Sequence, residues 1–309
     1  MLDDNVLNHQ FKQYLAWHHR SSMTICAHQH HMRQFWIFMK RYPIEDVSHI
    51  TQEHLLEYQK YRYYFINRYG RSDSVSAQNR HLATIKCFFH FLKTEGYIIH
   101  NPAEVLSYAK EPKRLPKIVL SYSEVKKLLL QPDTNTLHGY RDRTILELLY
   151  STGIRKSELM NLKLEDVDYE GGYLRVNQGK GNKDRVTPIG RIACQYLETY
   201  IKGIRPLILN AKTNPHLFLS LKGNALSKNA LGQMIEKYAK QSGIEKQITT
   251  HTFRRSCATA MIKNKANPMY VKDLLGHSSL ESIQAYCNLS IVDLKEAHKK
   301  HHPRELEAI

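Results

Sequence analysis

Through the first hundred residues the apolar positions recur at helical spacing, with no strand-like alternation between them. In "NVLNHQFKQYLAWH", Val6, Leu7, Phe11, Tyr14 and Leu15 fall along one side of a helix. "TICAHQHHMRQFWIFMKRY" repeats the pattern through Ile25, Phe35 and Phe38. Thr51 stands as the N-cap of "QEHLLEYQKYRYYFINRY", where Leu55, Tyr58, Tyr61 and Phe65 form a face. "SVSAQNRHLATIKCFFHFLKTEG" carries Leu82, Ile85, Phe89 and Leu92 and stops at Gly96. Four helices are predicted.

The pattern then breaks. "NPAEVLSYAKEPKRLPKIVLS" holds Pro102, Pro112 and Pro116, which stop helices and stiffen an extended chain, interleaved with Lys110, Lys113, Arg114 and Lys117. Residues 108–118 therefore read as a basic linker between a helical domain, 1–107, and a second domain, 119–309. Such a linker is either simply solvated or crosses the phosphates of a duplex held between two basic domains.

Ser121 and Glu124 make a capping box ahead of "VKKLLL". Helices are predicted through "RDRTILELLYSTG" and from "IRKSELMNL". "GYLRVNQGKGNKDRVTPIG" differs: Tyr173 to Val176 and Val186 to Ile189 are short β-like runs flanking a lysine-bearing turn. "HLFLS" reads as a further short strand, and the remainder as helical. The fold class is mainly α with a small β-hairpin or sheet.

The length suits two ordinary domains, and 42% hydrophobic residues supports real cores. No apolar run reaches the roughly 18 residues of a membrane span. "MLDDNVLNHQ" lacks the apolar stretch of a secretory signal, so the expected location is the cytoplasm. Five dispersed cysteines, Cys26, Cys87, Cys194, Cys257 and Cys287, form no C-x-x-C pair and read as reduced thiols. "HQHH" at His28 to His31 and "HKKHH" at His298 to His302 lack the partners of a metal site and read as a DNA-facing helix and a solvated tail. The net charge of +16 changes the picture, because an excess that large points to a polyanion, most commonly nucleic acid.

Chemistry enters through five segments: "GIRKSEL" with Arg155, "GKGNKDR" with Lys180, "HTFR" with His251 and Arg254, "LLGHSS" with His277, and then Tyr286, nine residues beyond His277. In order and spacing they resemble the signature of the tyrosine recombinases, the phage integrase and Xer family. The resemblance covers essentially the whole chain. It implies an N-terminal four-helix, SAM-like core-binding domain followed by an α+β catalytic domain that ends in a C-terminal exchange helix. The residue types suit phosphoryl chemistry in their own right. Guanidinium forks match the oxygens of a pentavalent phosphorus and stay protonated, so Arg155 and Arg254 supply a clamp and His277 a further donor. Tyrosine, with a pKa of about 10, needs cations around the phosphate and a base to act as a nucleophile. By resemblance His251 is that base, Lys180 the acid for the leaving 5′-oxygen, and Glu158 a support for Arg155. Tyr286 then forms a 3′-phosphotyrosyl link, with no metal or other cofactor needed.

The implied activity is site-specific DNA recombination through a Holliday junction: integration, excision or dimer resolution. The implied partners are double-stranded DNA and three further copies in a homo-tetramer on two sites, with a monomer or dimer on one site. A partner recombinase or accessory protein is also compatible, and the location is nucleoid-associated. A tyrosine transposase and a type IB topoisomerase use similar residues, and a non-catalytic DNA-binding protein would not need Tyr286. "YCNLSIVDL" departs from the usual tyrosine-threonine-histidine surroundings of a housekeeping Xer protein. Further DNA contacts are expected at Lys113, Arg114, Lys183 and Arg255. The polar side of "SKNALGQMIEKYAKQ", Lys228, Asn229, Gln233 and Lys237, lies opposite Leu231, Met234, Ile235 and Tyr238, and by resemblance enters a major groove. In the tail, Ile291, Leu294 and Ala297 form a narrow apolar stripe, which packs on its own domain or, as the family implies, on a neighbouring protomer.

Overall fold

The structure, a computed structural model, describes residues 4–67, 70–112, 118–177 and 184–276. The chain divides into two units, Met1–Leu115 and Pro116–Ile309.

The first unit is built from α1 (Asp4–Trp17), α2 (Ser22–Met39), α3 (Gln52–Tyr64) and α4 (Val75–Thr94). Ser21, Thr51 and Ser74 each accept a hydrogen bond from a backbone N–H in the first turn that follows, so three of the four starts are written in the sequence as side-chain caps. Most of the predicted apolar positions meet in one core of Leu7, Phe11, Leu15, Phe35, Phe38, Leu55, Tyr58, Leu82, Ile85, Phe89 and Leu92, with Tyr14, Ile25 and Tyr61 partly buried against it and Val6 exposed. Aromatic rings dominate it, Phe11 meeting Phe88 edge-on at 5.2 Å between centroids. Truncating such a ring to alanine typically costs about 3–5 kcal/mol.

This core also encloses charge. Arg62, 2% exposed, pairs with Asp73, donates to Gln34 Oε1 at 2.9 Å and lies 4.3 Å over the Phe65 ring. The histidines of "HQHH" do not all face outward as expected. His31 shares a 2.8 Å hydrogen bond with Thr84 and packs at a tilt 4.1 Å from the His81 ring, and His28 meets Phe11 edge-on. His30 alone of the three is exposed. Three histidines in four residues span more than half a helical turn, so they cannot share one face.

The second unit opens with α5 (Tyr122–Leu129), whose Ser121 and Glu124 form the predicted capping box. Helix α6 (Leu137–Thr152) runs through the centre, with Ile145, Leu146, Leu148 and Leu149 all fully buried. It packs against α8 (Arg191–Thr199), which continues into a π-helical turn at Tyr200–Ile204, and against α10 (Thr250–Lys263). Between them lie α7 (Lys156–Asn161) and a three-stranded antiparallel sheet of β1 (Val167–Asp168), β2 (Tyr173–Val176) and β3 (Arg185–Pro188). Helices α9 (Lys228–Gln241) and α11 (Pro268–Leu275) are its remaining α-helices among the described residues.

The sheet differs from the sequence expectation at several points: its third strand, β1, lies outside the predicted runs, and β3 stops at Pro188, short of Ile189. β3 begins at Arg185, which pairs with Val176, one residue earlier than the apolar run suggests. "HLFLS" forms only isolated bridges, Lys163 with His216 and Leu219 with Ala225. The side chains of Leu217, Phe218 and Leu219 are buried. Two carbonyls of this stretch are taken by the buried guanidinium of Arg205, whose Nε donates to Leu217 O at 3.1 Å and whose Nη2 donates to His216 O at 2.7 Å. Leu219 O accepts from Arg141 Nη1 at 2.8 Å, and Phe218 O from the Leu226 N–H. Side-chain donors and isolated backbone bonds together stand in for a continuous neighbouring strand.

Candidate active site

α6 ends at Gly153, a left-handed C-cap with φ 60°, and the chain turns at once into α7. Side chains rarely adopt that backbone conformation, and a Cβ at Gly153 would stand 2.6 Å from Leu275 Cδ2. The turn presents Arg155 as the residue before α7. Its backbone N–H donates to Glu158 Oε2 at 2.7 Å and its Nη1 donates to Glu158 Oε1 at 2.7 Å.

Glu158 is shared. Arg185, the first residue of β3, donates Nη1 to Oε1 at 2.9 Å and Nη2 to Oε2 at 2.8 Å, a bidentate fork. The Glu158 side chain is 3% exposed. Burial alone would raise its pKa, but the Arg185 fork, then the Arg155 N–H and guanidinium, outweigh this and hold it down at about 2. The carboxylate is therefore ionised at every working pH.

α10 brings in the next pair. Thr249 caps it, exposed His251 lies in its first turn, and Arg254 follows three residues later with 5% exposure. Arg254 Nη1 donates to Gly153 O at 2.7 Å, and Nη2 donates to Leu275 O at 2.6 Å. Arg155 Nη2 donates to Gly276 O at 2.7 Å, and Arg185 Nε to Leu274 O at 3.3 Å. Three guanidiniums, from the N-cap of α7, from β3 and from α10, thus hold three successive carbonyls where α11 ends. Those carbonyls have no partner within the helix, and the C-terminal end of its dipole favours cations. Gly276, left-handed with φ 63°, closes the helix, and His277 is the next residue.

Among the expected site residues, the structure gathers Arg155, Glu158 and Arg254 around one helix end and places His251 on the helix that carries Arg254. Lys180, His277 and Tyr286 lie outside the described residues, as do Lys113, Arg114, Lys183, Cys287 and the apolar stripe of the tail. On α9 the division of faces is as expected: Leu231, Met234, Ile235 and Tyr238 are buried, and Lys228, Asn229, Gln233 and Lys237 are exposed. Arg255 is half-buried. Sequence reasoning missed Arg185. Its signal was weak but present: an arginine at the start of a returning strand, within reach of an acid that a single arginine leaves half-satisfied.

The sequence model of the phage integrase family matches residues 119–291, more than half the chain and including the stretch that holds His277 and Tyr286. The chain belongs to the phage integrase family. A second model, the N-terminal SAM-like domain of phage integrases, matches residues 9–96. Over 284 residues the chain is 37% identical to the tyrosine recombinase XerD of Staphylococcus aureus, covering 92% of this chain and 94% of that one. Like that relative, this phage integrase family member is a tyrosine recombinase. Its fold is similar to that of a XerH recombinase bound to its difH substrate, with a TM-score of 0.70 and 19% identity over 96% of this chain and 84% of that one. It is also similar to a lambda integrase tetramer bound to a Holliday junction, with a TM-score of 0.68 and 18% identity over 92% and 77%. Among the described residues, no helix of this recombinase is long and apolar enough to cross a membrane.

Proposed function

We propose that the protein cuts and rejoins duplex DNA at specific sites, with Tyr286 as the nucleophile. Arg155 and Arg254 hold the non-bridging oxygens of the scissile phosphate, and His277 gives a further hydrogen bond. The Tyr286 hydroxyl passes its proton to His251 as its oxygen bonds to phosphorus. The bond to the 5′-oxygen breaks, and Lys180 protonates that oxygen as it leaves. The product is a 3′-phosphotyrosyl ester and a free 5′-hydroxyl. The ester retains the energy of the bond it replaced, so the 5′-hydroxyl of a second strand reverses the step on a new partner.

The observation that carries this reading is the convergence of Arg155 and Arg254, 99 residues apart in sequence, on the carbonyls of Leu275 and Gly276 directly before His277. A guanidinium has five N–H donors in a fixed fork. Bonds from Arg155 to Glu158 and Gly276 orient the fork without using all its donors. Preorganised donors of this kind are the largest single source of rate where charge develops on phosphate oxygens. The XerH and lambda integrase structures it resembles were captured on DNA, the latter as a tetramer on a Holliday junction. For this chain we take the working unit to be a tetramer on two sites, with the tail beyond Tyr286 packed on a neighbour.

The test is covalent trapping on a nicked suicide substrate. Wild type should give a denaturant-resistant protein–DNA band, and Tyr286→Phe, which loses only the hydroxyl, should bind DNA normally and give none. Persistence of the band in that variant, or its transfer to Cys287, removes Tyr286 from the mechanism.

A further inference from the structure

The Arg155–Glu158 pair alone would be a poor phosphate clamp. A buried carboxylate in contact with a guanidinium cancels its charge, and a scissile phosphate would then meet a neutral pair. The third member changes the balance. Arg185 takes both oxygens of Glu158 in a fork at 2.9 and 2.8 Å, while Arg155 takes one oxygen by side chain and the other by its backbone N–H. Two guanidiniums and one carboxylate leave a net charge of +1 in the group. Most of the carboxylate's hydrogen-bonding capacity toward cations is spent on Arg185, the partner farther along the chain. The same guanidinium reaches Leu274 O, and a Cβ at Gly276 would stand 3.1 Å from Arg185 Cδ, Nε and Cζ. Arg185 therefore lies flat against the backbone that leads into His277. Its side chain is 13% exposed.

We propose that Arg185 is a positioning residue for strand cleavage. Through Glu158 it keeps Arg155 oriented and its charge unspent, and through α11 it fixes the backbone preceding His277. The inference rests on the reading of Arg155 as a phosphate clamp. A residue that only braced the fold would leave the electrostatics at the phosphate unchanged, and that difference is measurable.

The experiment compares single-turnover cleavage of two suicide substrates, one with an ordinary scissile phosphodiester and one with a methylphosphonate there. Replacing a non-bridging oxygen by methyl removes the charge that the clamp must meet. Arg155→Ala sets the pattern expected of a clamp residue: slow on the phosphodiester, with a smaller deficit on the methylphosphonate. Arg185→Ala should follow it, binding single-site DNA within about twofold of wild type and cleaving the phosphodiester about a hundredfold more slowly. Its deficit on the methylphosphonate should shrink to less than about tenfold. Arg185→Lys, which keeps the charge but loses the fork, should fall between, and it carries the test if the alanine variant does not fold. Equal deficits on both substrates, or wild-type rates in Arg185→Lys and Arg185→Ala, overturn the inference. A wild type that forms no Tyr286-dependent adduct overturns the clamp reading, and this inference with it. A normal Tyr286 result beside an inert Arg185 overturns this inference alone.

Discussion

Gly153 serves two purposes at once: it ends α6 in a left-handed turn, and its carbonyl receives Arg254. A side chain there must accept a positive φ and displace Leu275, which is fully buried. Gly243 has a similar φ of 68° with nothing within 4 Å of its Cβ position. Gly243→Ala should therefore lose only the backbone preference, about 1 kcal/mol. Gly153→Ala should lose that plus an overpacking cost, about 2–4 kcal/mol in all, and should weaken covalent trapping. Urea titration of both variants beside the adduct assay measures this, and equal stability losses would show that the α6–α11 approach tolerates a methyl group. At this scale, the legible part of the site was the local part. Arg155 and Glu158 stand three residues apart at a helix start, so their pairing follows from spacing. The contact of Arg185 with the same carboxylate spans a hairpin, and the apolar run places the strand one residue late. An arginine read as the end of a turn gives only a weak reason to suspect that it is a buried partner.

Among the elements, amphipathic helices were readable because one buried face imposes a period on the sequence. α9 follows its pattern residue by residue. "HLFLS" did not, because a short buried apolar run has the same composition whether its backbone is satisfied by a strand or by side-chain donors such as the guanidinium of Arg205. The histidines of α2 mislead for a related reason: polarity suggests exposure, yet a neutral imidazole packs well against aromatic neighbours. That packing has a consequence for pH. Burial, then the neighbouring charges, lowers His31 to about 4 and His81 to about 3, with His28, His30, Arg62 and Arg80 among the cationic or titratable groups that oppose protonation of one or both. Tyr58 and Thr84 are their hydrogen-bond partners. The folded state keeps both rings neutral, whereas the unfolded chain takes up protons below about 6.5. The unfolded state therefore binds more protons, and stability falls as pH drops from 6.5 toward those values. Each ring contributes up to about 1.4 kcal/mol per pH unit in that interval. Protection factors of α4 amides in the full chain, taken against the intrinsic rate at each pH, should fall between pH 6.5 and 5. His81→Leu should flatten that dependence. An unchanged pH response in His81→Leu would mean that the ring titrates freely in the folded protein.

For the whole molecule, the net charge of +16 is a statement about ions as much as about DNA. Each lysine that settles on a phosphate releases condensed counterions, so the logarithm of the binding constant falls with the logarithm of salt concentration, by about 0.9 per phosphate neutralised. Lys228 and Lys237 stand exposed on α9, the latter 5.0 Å from the Tyr238 ring, beside Asn229 and Gln233. Lys240 shares the helix but is paired with Glu236 at 3.0 Å, which reduces what it has to offer a phosphate. If α9 lies in a groove, its lysines and its amides should fail in different ways. Lys228→Ala and Lys237→Ala should weaken binding on every sequence and lower the salt slope by about 0.9 each. Asn229→Ala and Gln233→Ala should leave the slope unchanged and relax preference at particular base pairs, by about 1–3 kcal/mol where a bidentate hydrogen-bonded pair with a base is removed. Lys240→Ala should change neither. The measurement is a binding titration of the full chain on its recombination site and on scrambled duplex at several salt concentrations. If all five variants keep the wild-type slope and preference, α9 presents its polar face to solvent, and the excess charge that grips DNA resides elsewhere in the chain.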